Sequence, residues 1–430
     1  MINHLSGLLL SHPWGALHPG IDTDRRKYRK GRKPSAVFRR VGFLNDIKRI
    51  GERFDWPVGA APAGGNWRKL ADTPCSNFAR RSKPVAEIAE NAEIAEASRQ
   101  CLHEGGKMKA AVVGENGVEI RDVAKPVPKP HEILIKIRAA SLNRADLAVA
   151  SGHRHGTVGG TGTIVGLECA GEVEAVGSDV KDFRPGDRAM SSAAGSFAEY
   201  AVTDAGRAHK IPANNMTYEQ AACMAVAVQT MHNALVGAGR LKNGESVLIQ
   251  GASSGVGLLG MQIAKHLGAS IVMGTSTNDG RRARLKEFGC DLALDTRDPK
   301  WPDKVKEATA GKGVDLIVDQ VSAPVANQNM EAAAILGRIV NVGRLGGMKG
   351  EFNFDLHALK RIDYIGVTFR TRTPDEVRAI VKAARADLWP AIEAGKLSLP
   401  IDRTFPLSQA AEALAHMKAN AHFGKIVLVM

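Results

Sequence analysis

Residues 247 to 276, VLIQGASSGVGLLGMQIAKHLGASIVMGTS, constrain this chain most. An apolar run stops at a patch of Gly, Ala and Ser that carries almost no side chains. A pattern of helical period follows, and a second apolar run ends it. Strand, tight turn, helix and strand within about 30 residues make a βαβ unit. A turn so poor in side chains lets backbone approach something closely. The helix behind it presents unpaired N–H groups and the positive end of its dipole, which suits a pyrophosphate.

Read literally, Gly255-x-Gly257-x-x-Gly260 matches the dinucleotide fingerprint, but that register puts Gly260 a full turn inside the helix. The register expected here sets Ala252, Ser254 and Gly257 in the three glycine positions. Gly257 then lets helix and sheet pack closely, and Ser254 offers a hydroxyl to phosphate. Ala252, Ser253, Ser254, Gly255, Val256 and Gly257 are therefore cofactor-binding candidates. A glycine pattern by itself is a weak signal, and the flanking strands and helix give it weight.

The second strand runs out on Gly274, Thr275, Ser276 and Thr277, followed by Arg281 and Arg282. NAD sites place Asp or Glu there for the ribose hydroxyls, whereas a 2′-phosphate needs cations and hydroxyls. The strand carries no acid, so NADPH is the expected cofactor; Asp279, in the turn, is the one counter-indication.

From Met108 onward the chain is regular. Short strands at MKAAVV, EILIKIRAAS, VGLECAGEVEAVG and SFAEYAV, broken by Pro and Gly, indicate a β-rich domain. Residues 218–236 read as one or two helices. Strands are expected at 246–250, 270–275, 291–295, 314–320, 337–342 and 364–369, alternating with helices, which points to a doubly wound parallel sheet. From Pro374 the pattern returns to helix, strand, helix and strand, completing the first domain around an inserted sheet domain.

The first 107 residues differ. They hold 19 Lys and Arg against 11 Asp and Glu, while the remainder holds 39 against 34, so most of the net charge of +13 lies in the first quarter. DRRKYRKGRKPSAVFRR is a basic run, and PVAEIAENAEIAEASRQ reads as an amphipathic helix. The segment reads as a poorly ordered or non-native extension, with Met108 as a candidate start. A nucleic-acid or acidic-membrane tail is the alternative. No signal peptide or uninterrupted apolar stretch of about 20 residues is evident. Five scattered cysteines without a CxxC pair fit a reducing compartment, the cytoplasm.

SLNRADL (141–147), VGLECAGEVEAVG (165–177), RPGDR (184–188), GASSGVG (251–257), FRTR (369–372) and HFGKIVLV (422–429) resemble the zinc-independent quinone oxidoreductases of the medium-chain dehydrogenase/reductase superfamily. The resemblance covers about three quarters of the chain. It implies a GroES-like catalytic domain (108–229, resumed at 372–430) and a Rossmann NADPH-binding domain (230–371), with nicotinamide in the cleft between them. It places Asn143 beside the nicotinamide, with Asp146 bracing that loop, and Thr230 near the cofactor. Ser254, Gly255 and Val256 meet the pyrophosphate, and Thr275, Ser276 and Arg281 surround the 2′-phosphate. Val321, Gly343, Phe369 and Lys425 contact or close over the nicotinamide half. Arg154 falls where relatives carry a Tyr and joins Asn143 as a catalytic candidate, and Thr296 replaces a Tyr that flanks adenine. A homodimer with the last sheet strand near its interface is also implied.

Zinc-using relatives need a Cys in the first active-site loop and a His-Glu pair near the second, where this chain has Asn143 and Gly166-Leu167-Glu168. His153 and His155 alone are weak ligand spacing, so no metal is expected. Lacking a strong Lewis acid, the site favours acceptors that take hydride readily. Small quinones are the leading acceptors, and enones or enoyl thioesters the alternative. A regulatory or nucleic-acid-binding NADPH protein is the reading from another class. Nucleic-acid and membrane partners are not expected.

Overall fold

The computed structural model describes residues 106–430, except 155 and 157. The expectations for residues 1–105 lie outside the described residues, as does that for His155. The described residues fall in a single compact unit of the chain.

Alternation builds the first sheet. A hairpin of β1 (Lys107–Gly114) and β2 (Gly117–Ala124) leads into β3 (Glu132–Ser141), where Ile133, Ile135 and Ile137 are buried while Lys136 and Arg138 face out. A short helix, α1 (Arg144–Ala150), follows, then β4 (Glu168–Val176), β5 (Arg188–Ser192), β6 (Tyr200–Asp204) and β7 (Ala208–Lys210). The pairs β3–β4, β4–β5 and β5–β7 are antiparallel, and β6 also pairs with β3.

Residues 218–236 break into α2 (Tyr218–Ala222) and α3 (Ala225–His232), continued by a π-helical turn, Asn233–Ala238. Residues 218–238 are long and apolar enough to cross a membrane, yet 72% of that window is buried within the protein. Their hydropathy is accounted for by the core they pack into.

Consecutive apolar residues build the second sheet, because its strands are covered on both faces. They are β8 (Ser246–Gln250), β9 (Ile271–Thr275), β10 (Leu292–Leu294), β11 (Val314–Asp319), β12 (Ala333–Asn341) and β13 (Asp363–Gly366). The intervening helices include α4 (Gly255–His266), α5 (Asp279–Arg284), α6 (Trp301–Ala308), α7 (Ala326–Ala332) and α8 (Phe354–Lys360). All neighbours pair in parallel, in the order β10-β9-β8-β11-β12-β13. This is the doubly wound Rossmann order, and its switch point, where ligands bind, lies between the ends of β8 and β11.

Two strands of the parallel sheet depart from expectation by more than one residue at an end. β12 begins at Ala333, four residues early, because Ala333 pairs with Val314 before a register shift. β13 stops at Gly366, where the chain leaves the sheet for α9 (Pro374–Glu393), a helix opened by a Thr373/Glu376 capping box. After it come β14 (Ile401–Pro406), α10 (Ala410–Lys418) and β15 (Lys425–Val429), and β15 pairs antiparallel with β3. The C-terminus therefore completes the first sheet, and the parallel sheet is inserted in its chain.

Candidate functional site

A cavity of about 590 Å³ opens at the switch point. Gly255 opens α4, and Ser254 caps it: Ser254 Oγ accepts the Gly257 N–H at 3.0 Å. The same oxygen lies 3.0 Å from Gly251 O and 3.1 Å from Gln320 Oε1. A hydroxyl has one proton to give, and both acceptors within reach belong to the protein. Ser254 thus builds the turn while lining the cavity, because a capping side chain bends back toward its own helix. The N–H groups of Gly255 and Val256 precede the first intrahelical acceptor, and both residues line the cavity.

Thr275 also braces the turn. It is 2% exposed, donates to Gln250 Oε1 at 2.7 Å and accepts the Gly251 N–H at 3.0 Å. Its hydroxyl is committed to the turn, and the residue lines the cavity beside Ser276. Ser276 Oγ lies 3.1 Å from Ser253 Oγ, and both residues line the cavity, as do Thr277, Asn278 and Thr296.

No carboxylate lines this end of the cavity among the described residues. Asp279 is turned to Arg282 and Arg297, each at 2.9 Å. Arg282 is locked on Ser276 O and Asp295. Arg281 and Arg144 line the cavity and share Asn420, Arg281 on its carbonyl and Arg144 on its side chain. Burial and the Arg281 charge push the Arg144 guanidinium below its usual pKa. His422 lines the same recess, and burial, then Arg144 and Arg281, push it down to about 4. Two guanidinium groups beside an imidazole, around a recess free of acids, suit an anion. Arg144 and His422 escaped the sequence reading, although both lie within its quoted motifs.

Residues Leu142, Asn143 and Arg144, with a buried polar network, form another wall. Asn143 is 9% exposed; its Nδ2 donates to Glu168 Oε1 at 2.9 Å and its Oδ1 accepts from Lys425 Nζ at 3.1 Å. Asp146 accepts the Asn143 N–H at 2.6 Å and so braces the loop. Burial pushes that carboxyl up to about 7, and its Oδ1 has no partner. Lys425 also donates to Glu168 Oε1 at 2.7 Å and to Leu142 O at 3.0 Å. It does line the cavity, but its ammonium is spent on the floor rather than reaching over a ring. Sequence reading weighed Glu168 only as a metal ligand, and nothing in the sequence pairs it with a lysine 257 residues away.

Val321, Gly343 and Leu345 line the cavity from the ends of β11 and β12. Ala252 and Gly257 sit beneath it as packing residues: a Cβ on Gly257 would lie 2.7 Å from Ala252 Cα. Thr230, Phe369 and Arg154 do not line it. Thr230 lies along α3, Phe369 follows the early end of β13, and Arg154 is exposed on the loop after α1.

Residues 129–213 match the alcohol dehydrogenase GroES-like domain, and residues 255–385 match the zinc-binding dehydrogenase model. Human quinone oxidoreductase is 31% identical over 314 residues, covering 72% of this chain and 92% of that protein. A polyketide synthase of Mycobacterium tuberculosis, described as mycocerosic acid synthase-like, is 30% identical over 70% of this chain but only 14% of that protein. Among solved structures, an alcohol dehydrogenase superfamily protein from Novosphingobium aromaticivorans has a TM-score of 0.68 at 30% identity, covering 75% of this chain and 99% of that one. A mycobacterial structure complexed with NADPH has a TM-score of 0.67 at 27% identity, covering 75% and 100%.

The zinc named by one model does not fit these residues. Asn143 and Leu167 stand where the Cys and His would be needed, and the Glu168 carboxylate is already held by an ammonium. Among the described residues no three His, Cys, Asp or Glu side chains converge. With the GroES-like match, the parallel sheet and a relative matched over nine-tenths of its length, this chain belongs to the zinc-independent, quinone oxidoreductase-like family of the medium-chain dehydrogenase/reductase superfamily.

Proposed function

We propose that this oxidoreductase carries hydride from NADPH to small quinones without a metal. The observation that carries the cofactor choice is the acid-free recess at the end of β9, lined by Ser276, Arg281, Arg144 and His422. The bound cofactor would supply the hydride. The N–H groups of Gly255 and Val256 hold its pyrophosphate, and Arg281 and Arg144, which meet at Asn420, hold its 2′-phosphate. Asn143 borders the reacting ring with both ends of its amide committed, so it shapes the site rather than donating a proton. A quinone suits such a wall, because it accepts hydride directly and the resulting hydroquinone anion takes its proton from water once it leaves. Transfer needs reacting atoms about 3–3.5 Å apart in a site closed to bulk water.

Enoyl-thioester reduction is the second reading, favoured by the likeness to a segment of a polyketide synthase. NADPH oxidation over a panel of quinones, enones and enoyl thioesters separates the two. Quinones are expected to turn over fastest, and simple alcohols hardly at all. Inert quinones beside a rapid enoyl thioester would leave the family standing and remove the acceptor. In the same assay Asn143→Ala is expected to lower kcat by about tenfold or more while NADPH affinity moves little. An equal loss in both would make Asn143 a cofactor ligand only.

Arg281→Ala tests the cofactor choice. A charge-assisted hydrogen bond contributes roughly 1.5–3 kcal/mol, so NADPH affinity is expected to fall about ten- to a hundredfold. NADH affinity should barely change. Equal losses for the two cofactors would take Arg281 out of the phosphate site.

For assembly we propose a homodimer at the β13 edge. That strand is the last of its sheet, and Ile335, Leu336, Phe354 and Leu359 are exposed on the neighbouring β12 and α8. Sedimentation of the protein as a monomer at micromolar concentration would refute this.

A further inference from the structure

Lys425 is a cation almost without solvent: it is 4% exposed, and Glu168, its counter-charge, is fully buried. An ammonium has three protons, and here they go to Glu168 Oε1, Leu142 O and Asn143 Oδ1. Its three acceptors are oxygens within 3.1 Å, the donor type that a hard cation takes. Glu168 is filled from its other sides by Ser141 Oγ at 2.6 Å and Asn143 Nδ2 at 2.9 Å, and by the Val226 N–H at 2.8 Å. The Asn143 amide is thus pinned between a positive and a negative group, and only one of its two orientations satisfies both. The lysine stem also crosses the first residue of α4, where a Cβ on Gly255 would lie 2.6 Å from Lys425 Cδ.

We propose that the Lys425 ammonium is the resident cation of this active site, standing between Asn143 and Glu168 where a divalent metal would have to sit. It sets the orientation of Asn143 and, by filling the oxygen cage with charge, keeps metal out. Lys425 is a positioning residue, since it acts through Asn143. This role rests on the reading that Asn143 borders the reacting ring; the exclusion of metal does not.

Lys425→Ala removes the cation and leaves a buried carboxylate, a carbonyl and an amide oxygen around a void. Cobalt(II) uptake, followed by absorbance and by metal analysis, reads the site without any turnover. The parent protein is expected to take up no Co²⁺, Lys425→Ala about one per chain, and Lys425→Ala/Glu168→Gln none. Quinone turnover by metal-free Lys425→Ala is expected to fall about tenfold or more, with NADPH affinity within about threefold of the parent. Propylammonium, which matches the lost end of the side chain, should restore about threefold of that turnover.

Co²⁺ uptake by the parent protein overturns the exclusion of metal. Uptake by Lys425→Ala with undiminished turnover overturns the positioning role. Loss of turnover with neither uptake nor amine rescue overturns the resident cation. If Lys425→Ala is insoluble, Lys425→Met/Glu168→Gln replaces it, because that pair buries no unpaired charge. It should fold, bind NADPH and turn over more slowly, and unchanged turnover would refute the proposal. A parent protein inactive on quinones would instead defeat the proposed acceptor, and the Co²⁺ comparison would still be read.

Discussion

Glu168→Ala should lower the free energy of unfolding by about 3–5 kcal/mol, the usual cost of leaving a buried ion without its partner. The reason is the asymmetry of the site. Glu168 is fully buried and accepts from four groups, one of them the Lys425 ammonium. Removing it strands that ammonium, the Ser141 hydroxyl and the Val226 N–H in a place water does not reach. At about 2–4 °C of Tm per kcal/mol for a domain of this order of size, the fall should be roughly 6–20 °C. Glu168→Gln should cost less, because an amide oxygen can still accept two of these bonds. Glu168→Ala/Lys425→Met should recover part of the loss, since it removes the stranded charge together with its partner. The parent, Glu168→Ala, Lys425→Met and the double variant form a cycle whose coupling energy is measured by thermal or urea unfolding. Strict additivity would mean that the two side chains are not energetically paired, and the network described above would be wrong.

What could be read from the sequence is what is local. The β8–α4–β9 unit announced itself because strands buried on both faces are apolar without interruption, and because the turn that follows β8 tolerates few side chains. The absence of an acid at the end of β9 is equally local. Strand ends were less legible: Ala333 joins β12 through a single pair with Val314, and no apolar pattern marks such a pair. The hold of the Thr275 hydroxyl on Gln250 and the Gly251 N–H joins two neighbouring strands, and no local pattern marks it. The Lys425–Glu168 pair was out of reach for another reason. Its members lie at the start of β15 and the start of β4, brought together only because β3 stands between those two strands in the sheet. Arg144 and Arg281 likewise come from different domains and meet only at Asn420. Resemblance supplied Asn143 and Lys425 as site residues, but not what either holds.

The second large effect tests the register of the glycine motif, and it compares two identical methyl groups in one helix. Gly257→Ala places a Cβ 2.7 Å from Ala252 Cα and 2.8 Å from Ala252 O. Those are backbone atoms of the turn itself, so nothing can swing aside, and α4 must lift away from the end of β8. That movement displaces the Gly255 and Val256 N–H groups from the pyrophosphate position. Overpacking of this kind costs about 1–3 kcal/mol of stability, and NADPH affinity should fall about tenfold to a hundredfold. Gly260→Ala, one turn on, has the Met231 side chain as its nearest neighbour, its Sδ at 2.9 Å. A thioether is flexible and moves readily, and Ala is favoured over Gly inside a helix by about 1 kcal/mol. Gly260→Ala should therefore leave stability within about 1 kcal/mol of the parent and NADPH affinity unchanged. Fluorescence titration with NADPH and a thermal melt on each protein decide the matter. If Gly260→Ala were the variant that loses the cofactor, the literal Gly255-x-Gly257-x-x-Gly260 spacing would be the working one. The assignment of Ala252, Ser254 and Gly257 to the phosphate turn would then fail.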